Sequence, residues 1–255
     1  MSKVRKNKRN RTVKVIKEDE SAQVSFLRKV YVNLALGVAA LIGIEYIMMQ
    51  TPIKTWYIDS VGLNRWQSDL FPIFIVFLFA MRYARRVSRK ITKKSTQYLV
   101  YGLFILIKAI ILFPLLCRVE MTNPSILFSS AVIATGLFCG LAIYALTSNR
   151  DFTFLSGFMK VGGMVLFSIF MARILLRISG YSFNNFNVGW IISAFIVIYA
   201  TAAILYNTNE IKRRYSKTQY VVAALALMVS YVMLFNGLLR TRNRLGRPKG
   251  KRGMF

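Results

Sequence analysis

The chain has 255 residues, with 36 Lys and Arg, 9 Asp and Glu, no His and a formal charge of +27; even so, 55% of it is hydrophobic and its mean hydropathy is +0.46. Charge of one sign and apolar content on this scale coexist only where they are segregated, as in a multi-span membrane protein with basic loops. A soluble enzyme, a secreted disulfide scaffold and a disordered tail are thereby excluded.

In chain order, residues 1–28 come first as a basic arm, and ten basic residues fall within 1–29. Residues 1–17 have the flank of a signal peptide. The apolar segment that follows is long and has six successors, so it is expected to stay as a span. Glu18, Asp19 and Glu20 argue against an organelle transit peptide, which is poor in acids. The run from Lys3 to Arg11 has the composition of a nucleic-acid-binding segment. On a membrane protein we read it as a solvated arm that sets topology and touches anionic lipid headgroups.

Seven apolar segments follow within residues 29–240, most of them near the roughly 20 residues needed to cross a bilayer core. They are Val30–Gln50, Leu70–Tyr83, Gln97–Leu116, Ser125–Thr147, Phe154–Leu176, Val188–Tyr206 and Tyr220–Leu239. The second is the shortest, and Pro72 near its start suits a first helical turn. The expected fold is all-α and integral to the membrane, with seven transmembrane helices. The links around 84–94 and 207–218 are strongly basic, whereas 51–69, 117–124 and 177–187 are not. By the positive-inside rule, the N-terminus and the basic links face the cytoplasm. A seventh crossing sets the basic tail, 241–255, on the outer face against that rule. Either the tail is exported or one segment is re-entrant, and its side stays open.

Ionisable groups at membrane depth are costly, so each is a functional candidate. Lys108 lies near the middle of the third segment and Glu45 in the outer third of the first. Lys160 comes early in the fifth and Arg173 near its outer end, while Arg82 and Arg240 close the second and seventh. Snorkelling accounts for Lys160, Arg173 and Arg240. For Lys108 the interface is far in both directions, and depth alone allows a pair with Glu45. Asn207 and Ser230 are neutral polar groups on the last two helices, each by itself an interhelical hydrogen-bonding residue. Gly136 and Gly140 form a GxxxG, for which internal packing is preferred to dimerisation. Cys117 and Cys139 read as packing residues.

There is no HExxH, Walker loop, GxSxG or Cys/His metal spacing. Without histidine, a zinc or haem enzyme and a His proton relay are out. No pair of carboxylates occupies neighbouring segments. No enzymatic activity, cofactor or metal is expected.

Three stretches carry a wider pattern: Phe26-Leu27-Arg28-Lys29-Val30-Tyr31-Val32-Asn33-Leu34-Ala35-Leu36-Gly37; Ala145 to Leu155 with its Arg150-Asp151-Phe152-Thr153-Phe154-Leu155 core; and Ile204 to Ile211 running into Tyr220 to Leu227. In order and spacing they resemble the approach to the first helix, the link after the fourth, and the paired last two helices of the Bax inhibitor-1 (TMBIM, YccA/YetJ-like) family. The resemblance covers nearly the whole chain. It implies seven helices with the last one central and six around it. It also implies a calcium-permeable, pH-sensitive leak. In bacterial members that leak is gated by two aspartates, one on each of the last two helices, with an arginine at the inner end of the second helix as partner. A close carboxylate pair shares a proton and binds cations when deprotonated.

In this chain the two aspartate positions hold Asn207, after Tyr206, and Ser230, after Val229. The arginines are kept as Arg82 and Arg240, and Lys108 adds positive charge to the same interior. An amide and a hydroxyl hydrogen-bond across a helix pair but neither titrate nor bring negative charge to a cation. A buried cation without its acid partner is costly, so Arg82 is expected to face the cytoplasm rather than lock the pore. The candidate pore or gate positions are Asn207, Ser230, Arg82, Arg240 and Lys108.

Two functions compete. One is an ion leak of the calcium or proton type that lacks the acidic gating pair. The other is a non-conducting membrane regulator that binds another membrane protein, such as a quality-control protease. Nucleic acid is not an expected partner, because the basic ends are nearly free of aromatic residues and offer phosphate contacts alone. The short loops point to a bacterial inner membrane, with the N-terminus in the cytoplasm.

Overall fold

The computed structural model describes residues 2–61, 94–148, 150–179, 186–216 and 218–245. Among these residues there is no strand. In chain order the helices are α1 (Ser2–Gln50), α2 (Ile53–Val61), α3 (Lys94–Thr122), α4 (Pro124–Thr147), a 3₁₀ turn (Phe152–Phe154), α5 (Leu155–Ile178), α6 (Phe186–Arg214) and α7 (Tyr220–Leu245). Six of them, α1 and α3 to α7, contain stretches long and apolar enough to cross a membrane. These six coincide with six of the seven apolar segments. The remaining one, Leu70–Tyr83, and with it Arg82, lies outside the described residues.

Two helices run past their apolar segments for a packing reason. α6 continues from Tyr206 to Arg214 because Thr208, Asn209 and Ile211 are themselves buried there. α7 continues beyond Leu239 with Asn243 buried, its Oδ1 accepting from Thr122 Oγ1 at 3.3 Å. α2 has no counterpart among the seven segments. It is held by Tyr57, which packs edge-on to Phe113 of α3 with ring centroids 5.8 Å apart, and by an ion pair from Lys54 to Glu120 at 2.8 Å.

Side-chain contacts fix how the helices run. Tyr101 Oη donates to the Asn33 carbonyl at 2.9 Å, and Cys117 meets Met49, so α1 and α3 are parallel. Gln23 Nε2 donates to the Lys212 carbonyl at 3.3 Å, and the Lys29 ammonium stands 6.0 Å from the centre of the Tyr220 ring. The start of the apolar part of α1, the end of α6 and the start of α7 therefore share one end of the bundle. The Thr122–Asn243 contact places the end of α7 at the opposite end, beside the α3–α4 junction. At that junction Pro124 occupies the first turn of α4, where its missing N–H costs nothing.

α7 is buried almost all round: every residue from Val221 to Met228 is buried, as are Ser230, Tyr231, Val232 and Leu234. It packs against α1, α3, α4 and α6. A helix apolar on all faces belongs in a core rather than at a surface. α5 is the reverse: it leans on α6 and the 3₁₀ turn, where the Tyr199 hydroxyl donates to the Met159 carbonyl at 3.0 Å. Close approach of α6 and α7 depends on Gly237, where an added Cβ would meet a Val197 methyl at 2.9 Å.

The GxxxG on α4 does not pack inward. Gly136 and Gly140 are exposed, and among the described residues nothing lies within 4 Å of a Cβ added at either. The buried stripe of α4 is Ile126, Ser130, Ala134, Phe138, Ala142 and Ala145, which turns the glycines outward. Cys139 sits on that same outward side and is exposed, so only Cys117 is a packing cysteine.

Candidate functional site

The last two apolar segments bring one polar residue each to the α6–α7 contact. Asn207 Nδ2 donates to Ser230 Oγ at 2.8 Å, and Ser230 Oγ in turn donates to the Ala226 carbonyl one turn back at 3.2 Å. Ser230 is 2% exposed and Asn207 is half-buried. The hydroxyl thus uses both its donor and acceptor capacity, and a short neutral link ties the two helices inside the apolar bundle. The residues flanking it on α7, Met228, Tyr231 and Leu234 among them, are buried and apolar. Chemically the pair can hold the helices together. It carries no charge and has no group that ionises near neutral pH.

The other candidates lie elsewhere. Lys108 is buried at 6% exposure on α3, and Arg240 is close enough for its charge to act on it. Arg240 itself is exposed, ten residues along α7 from Ser230, which at about 1.5 Å per residue is ~15 Å along the helix axis. Arg240 therefore lies toward the α3–α4 junction and not at the Asn207–Ser230 link, while Lys108 is at the middle of α3. The pair that depth allows between Lys108 and Glu45 is not formed as a hydrogen bond: neither carboxylate oxygen of Glu45 has a hydrogen-bond partner among the described residues. Lys160 is exposed on α5, in keeping with a side chain that reaches for the interface. Arg82 lies outside the described residues.

One turn beyond Asn207, at the end of α6, is a network that single-residue reading did not find. Asp151, at the start of the 3₁₀ turn, accepts from the Thr153 amide at 3.0 Å, from the Thr153 hydroxyl, from Asn209 Nδ2 at 3.0 Å and from Arg213 Nη1 at 3.1 Å. Those bonds, the Thr153 hydroxyl first and the Arg213 guanidinium last, hold its carboxyl down at about 2. Beside it Lys212 Nζ donates to the Leu146 carbonyl at 3.0 Å, satisfying the open C-terminal end of α4. Asn209 follows Asn207 by two residues, about 200° round a helix, so one amide turns to α7 and the other to the α4–α5 link. The signal was present in part: Asp151 stands in the link quoted for the family resemblance, and Asn209 and Arg213 follow Asn207 on α6.

Comparison with known proteins bears on what this architecture is. The profile of the family described as "Inhibitor of apoptosis-promoting Bax1" matches residues 23–246. An uncharacterized protein of Pseudomonas aeruginosa is 35% identical over 121 residues, which is 47% of this chain and 51% of that protein, so this match spans about half of its length. The Arabidopsis thaliana protein LIFEGUARD 4 is 26% identical over 227 residues, 87% of this chain and 85% of its own. The Golgi anti-apoptotic protein of vaccinia virus is 28% identical over 122 residues, 48% of each chain. With the family profile running through every described spanning helix, this chain belongs to the Bax inhibitor-1 family of membrane proteins.

Proposed function

We propose that this protein is a Bax inhibitor-1-like ion leak, of the calcium or proton type, in which a neutral hydrogen bond stands where the family's titrating carboxylate pair would be. The observation that carries the reading is the 2.8 Å link between Asn207 and Ser230 at the buried α6–α7 contact. An amide–hydroxyl pair closes the contact between the helices without gaining or losing a proton, so the leak has no switch near neutral pH at this point. Reconstitution in vesicles tests it: calcium or proton flux that stays level across about pH 6 to 8 is the expected result. Absence of flux for either ion would end the channel reading.

The fold that goes with this reading has seven crossings with α7 at the centre. Its support is twofold. The most apolar stretch of α7 is 72% buried, against 6% for α5, and the parallel course of α1 and α3 is accounted for by one further crossing between them. With the arm 1–28 in the cytoplasm of a bacterium and the protein in its inner membrane, the tail beginning after α7 starts on the outer face. The arm and the basic links, not the tail, then set the orientation. The arm's nine basic residues also suit anionic headgroups.

A second reading is favoured by the same neutrality. A site with no negative charge has nothing to attract a cation, and a closed link suits a non-conducting regulator that binds another membrane protein. Its relatives include proteins named for anti-apoptotic action. A stoichiometric partner that survives mild detergent and is lost on deleting 1–17 or 241–255 supports this reading. Partners retained by both deletions remove the basic ends as docking sites.

A further inference from the structure

At the other end of the bundle, where α1, α2 and α3 meet, four side chains share a chemistry that apolar packing does not call for. Glu45, Met48 and Met49 occupy i, i+3 and i+4 of α1, the positions that lie side by side on one helix face. Cys117 faces them from α3. Its thiol lies 3.8 Å from the Met49 sulfur, and Met48 packs on the same cluster with Tyr57 and Phe113. Cys117 is fully buried and unbridged. Glu45 is 6% exposed, with neither carboxylate oxygen hydrogen-bonded among the described residues, and its charge acts at the Cys117 thiol. A carboxylate buried without a partner is costly and marks a site rather than a filler.

The sulfur spacing fits a bound ion. With metal–sulfur bonds of about 2.3 Å, two sulfurs of one tetrahedral or trigonal centre stand ~3.8–4.0 Å apart. The Cys117–Met49 separation of 3.8 Å, spanned here by a weak hydrogen bond from the thiol to the thioether, is compatible with that window. The ion is a soft one. Among the described residues no three His, Cys, Asp or Glu cluster together, as a zinc-type set requires, whereas thiolate with thioethers selects Cu(I). We propose that Cys117, Met49 and Met48, with the Glu45 carboxyl as a neighbouring oxygen donor, bind one soft monovalent cation of the Cu(I) class. Binding displaces the thiol proton, which leaves to water, and forms a metal–thiolate bond that is neutral overall, with no change in oxidation state. The Lys54–Glu120 ion pair is partly open to solvent, and its charges too act at the thiol.

The test uses the full chain in detergent, purified without a metal-binding tag, and Ag(I) as a redox-inert probe, with Cu(I) under reductant in competition against a chelator. The chain has no His and only one other cysteine, so competing sites are few. We expect one ion per chain in the native protein. Met49→Leu, which keeps the side-chain volume, weakens it at least tenfold, Cys117→Ser abolishes it, and Glu45→Gln weakens it. Cys139→Ser leaves it unchanged. Each variant is first shown to keep its native helix content. The proposal is overturned if the native chain takes up no stoichiometric ion. It is equally overturned if Met49→Leu binds as the native protein does, or if Cys139→Ser is the change that removes the ion; the sulfurs are then packing alone.

Discussion

Replacing Ser230 with Ala removes a hydroxyl that accepts from Asn207 at 2.8 Å and donates to the Ala226 carbonyl at 3.2 Å. The loss is larger than the bond itself, because the Asn207 amide is left facing an apolar helix; about 1–2 kcal/mol is expected for the single change. The bond is isolated by a cycle with Asn207→Ala and the double variant. Interhelical hydrogen bonds in membranes couple by about 0.6 kcal/mol on average and by about 1.7 at most. Ser230 is shielded from both lipid and water while Asn207 is half-buried. The coupling should therefore lie near that average, ~0.5–1 kcal/mol. Reversible unfolding in mixed detergent–SDS micelles, followed by circular dichroism, reads all four proteins. A coupling within about 0.3 kcal/mol of zero, the level at which independent sites add, would refute the idea that the link holds α6 to α7.

Three further outcomes follow from the same contacts. Gly37→Ala drives a methyl into the hydroxyl end of the buried Tyr101 ring, and overpacking of this kind costs about 1–3 kcal/mol in the same unfolding assay; an unchanged midpoint would contradict the packing of α1 on α3. Asp151→Asn weakens the bonds to Arg213 and Thr153, and amide exchange of residues 150–154 should quicken. In the native protein the Asp151 carboxyl is held at about 2, below its unfolded range, so the stability it lends is full above that range and fades only as pH falls toward about 2. Loosening of the link between about pH 7 and 5, after correction for intrinsic rates, would contradict that. Alanine at Lys54 or Glu120 breaks a partly exposed ion pair and should cost about 0–1 kcal/mol, with the difference from native shrinking at high salt.

Much of the bundle is written in runs of apolar residues, since a span needs little beyond length and hydrophobicity to be recognised. The six described spanning helices lie where those runs do. What runs of this kind do not carry is facing. Gly136 and Gly140 have a spacing suited to close packing, but which side of α4 points inward is set by the larger residues of the opposite stripe, Ile126, Phe138 and their neighbours. α2 was hidden for a different reason: nine residues of mixed character become a helix there because Tyr57 finds Phe113 and Lys54 finds Glu120, partners far along the chain. The Asn207–Ser230 link was legible through the family resemblance, which names the two positions. The Asp151 network was not, because Asn209 and Arg213 lie 58 and 62 residues away and only the fold brings them together.

The central claim is that the architecture is that of the family's leak with its acid chemistry replaced by a neutral link. The most direct measurement restores the acids: calcium flux into vesicles across about pH 6 to 8 for the native chain beside the Asn207→Asp, Ser230→Asp double variant. Two carboxylates brought to the contact where the amide and hydroxyl now meet at 2.8 Å cannot both stay ionised, so they share a proton and release it near neutrality. Flux that rises or falls with pH in the double variant and stays level in the native protein is the expected result. A native flux that already switches steeply near pH 7, or a double variant that folds and shows no pH dependence at all, would contradict it.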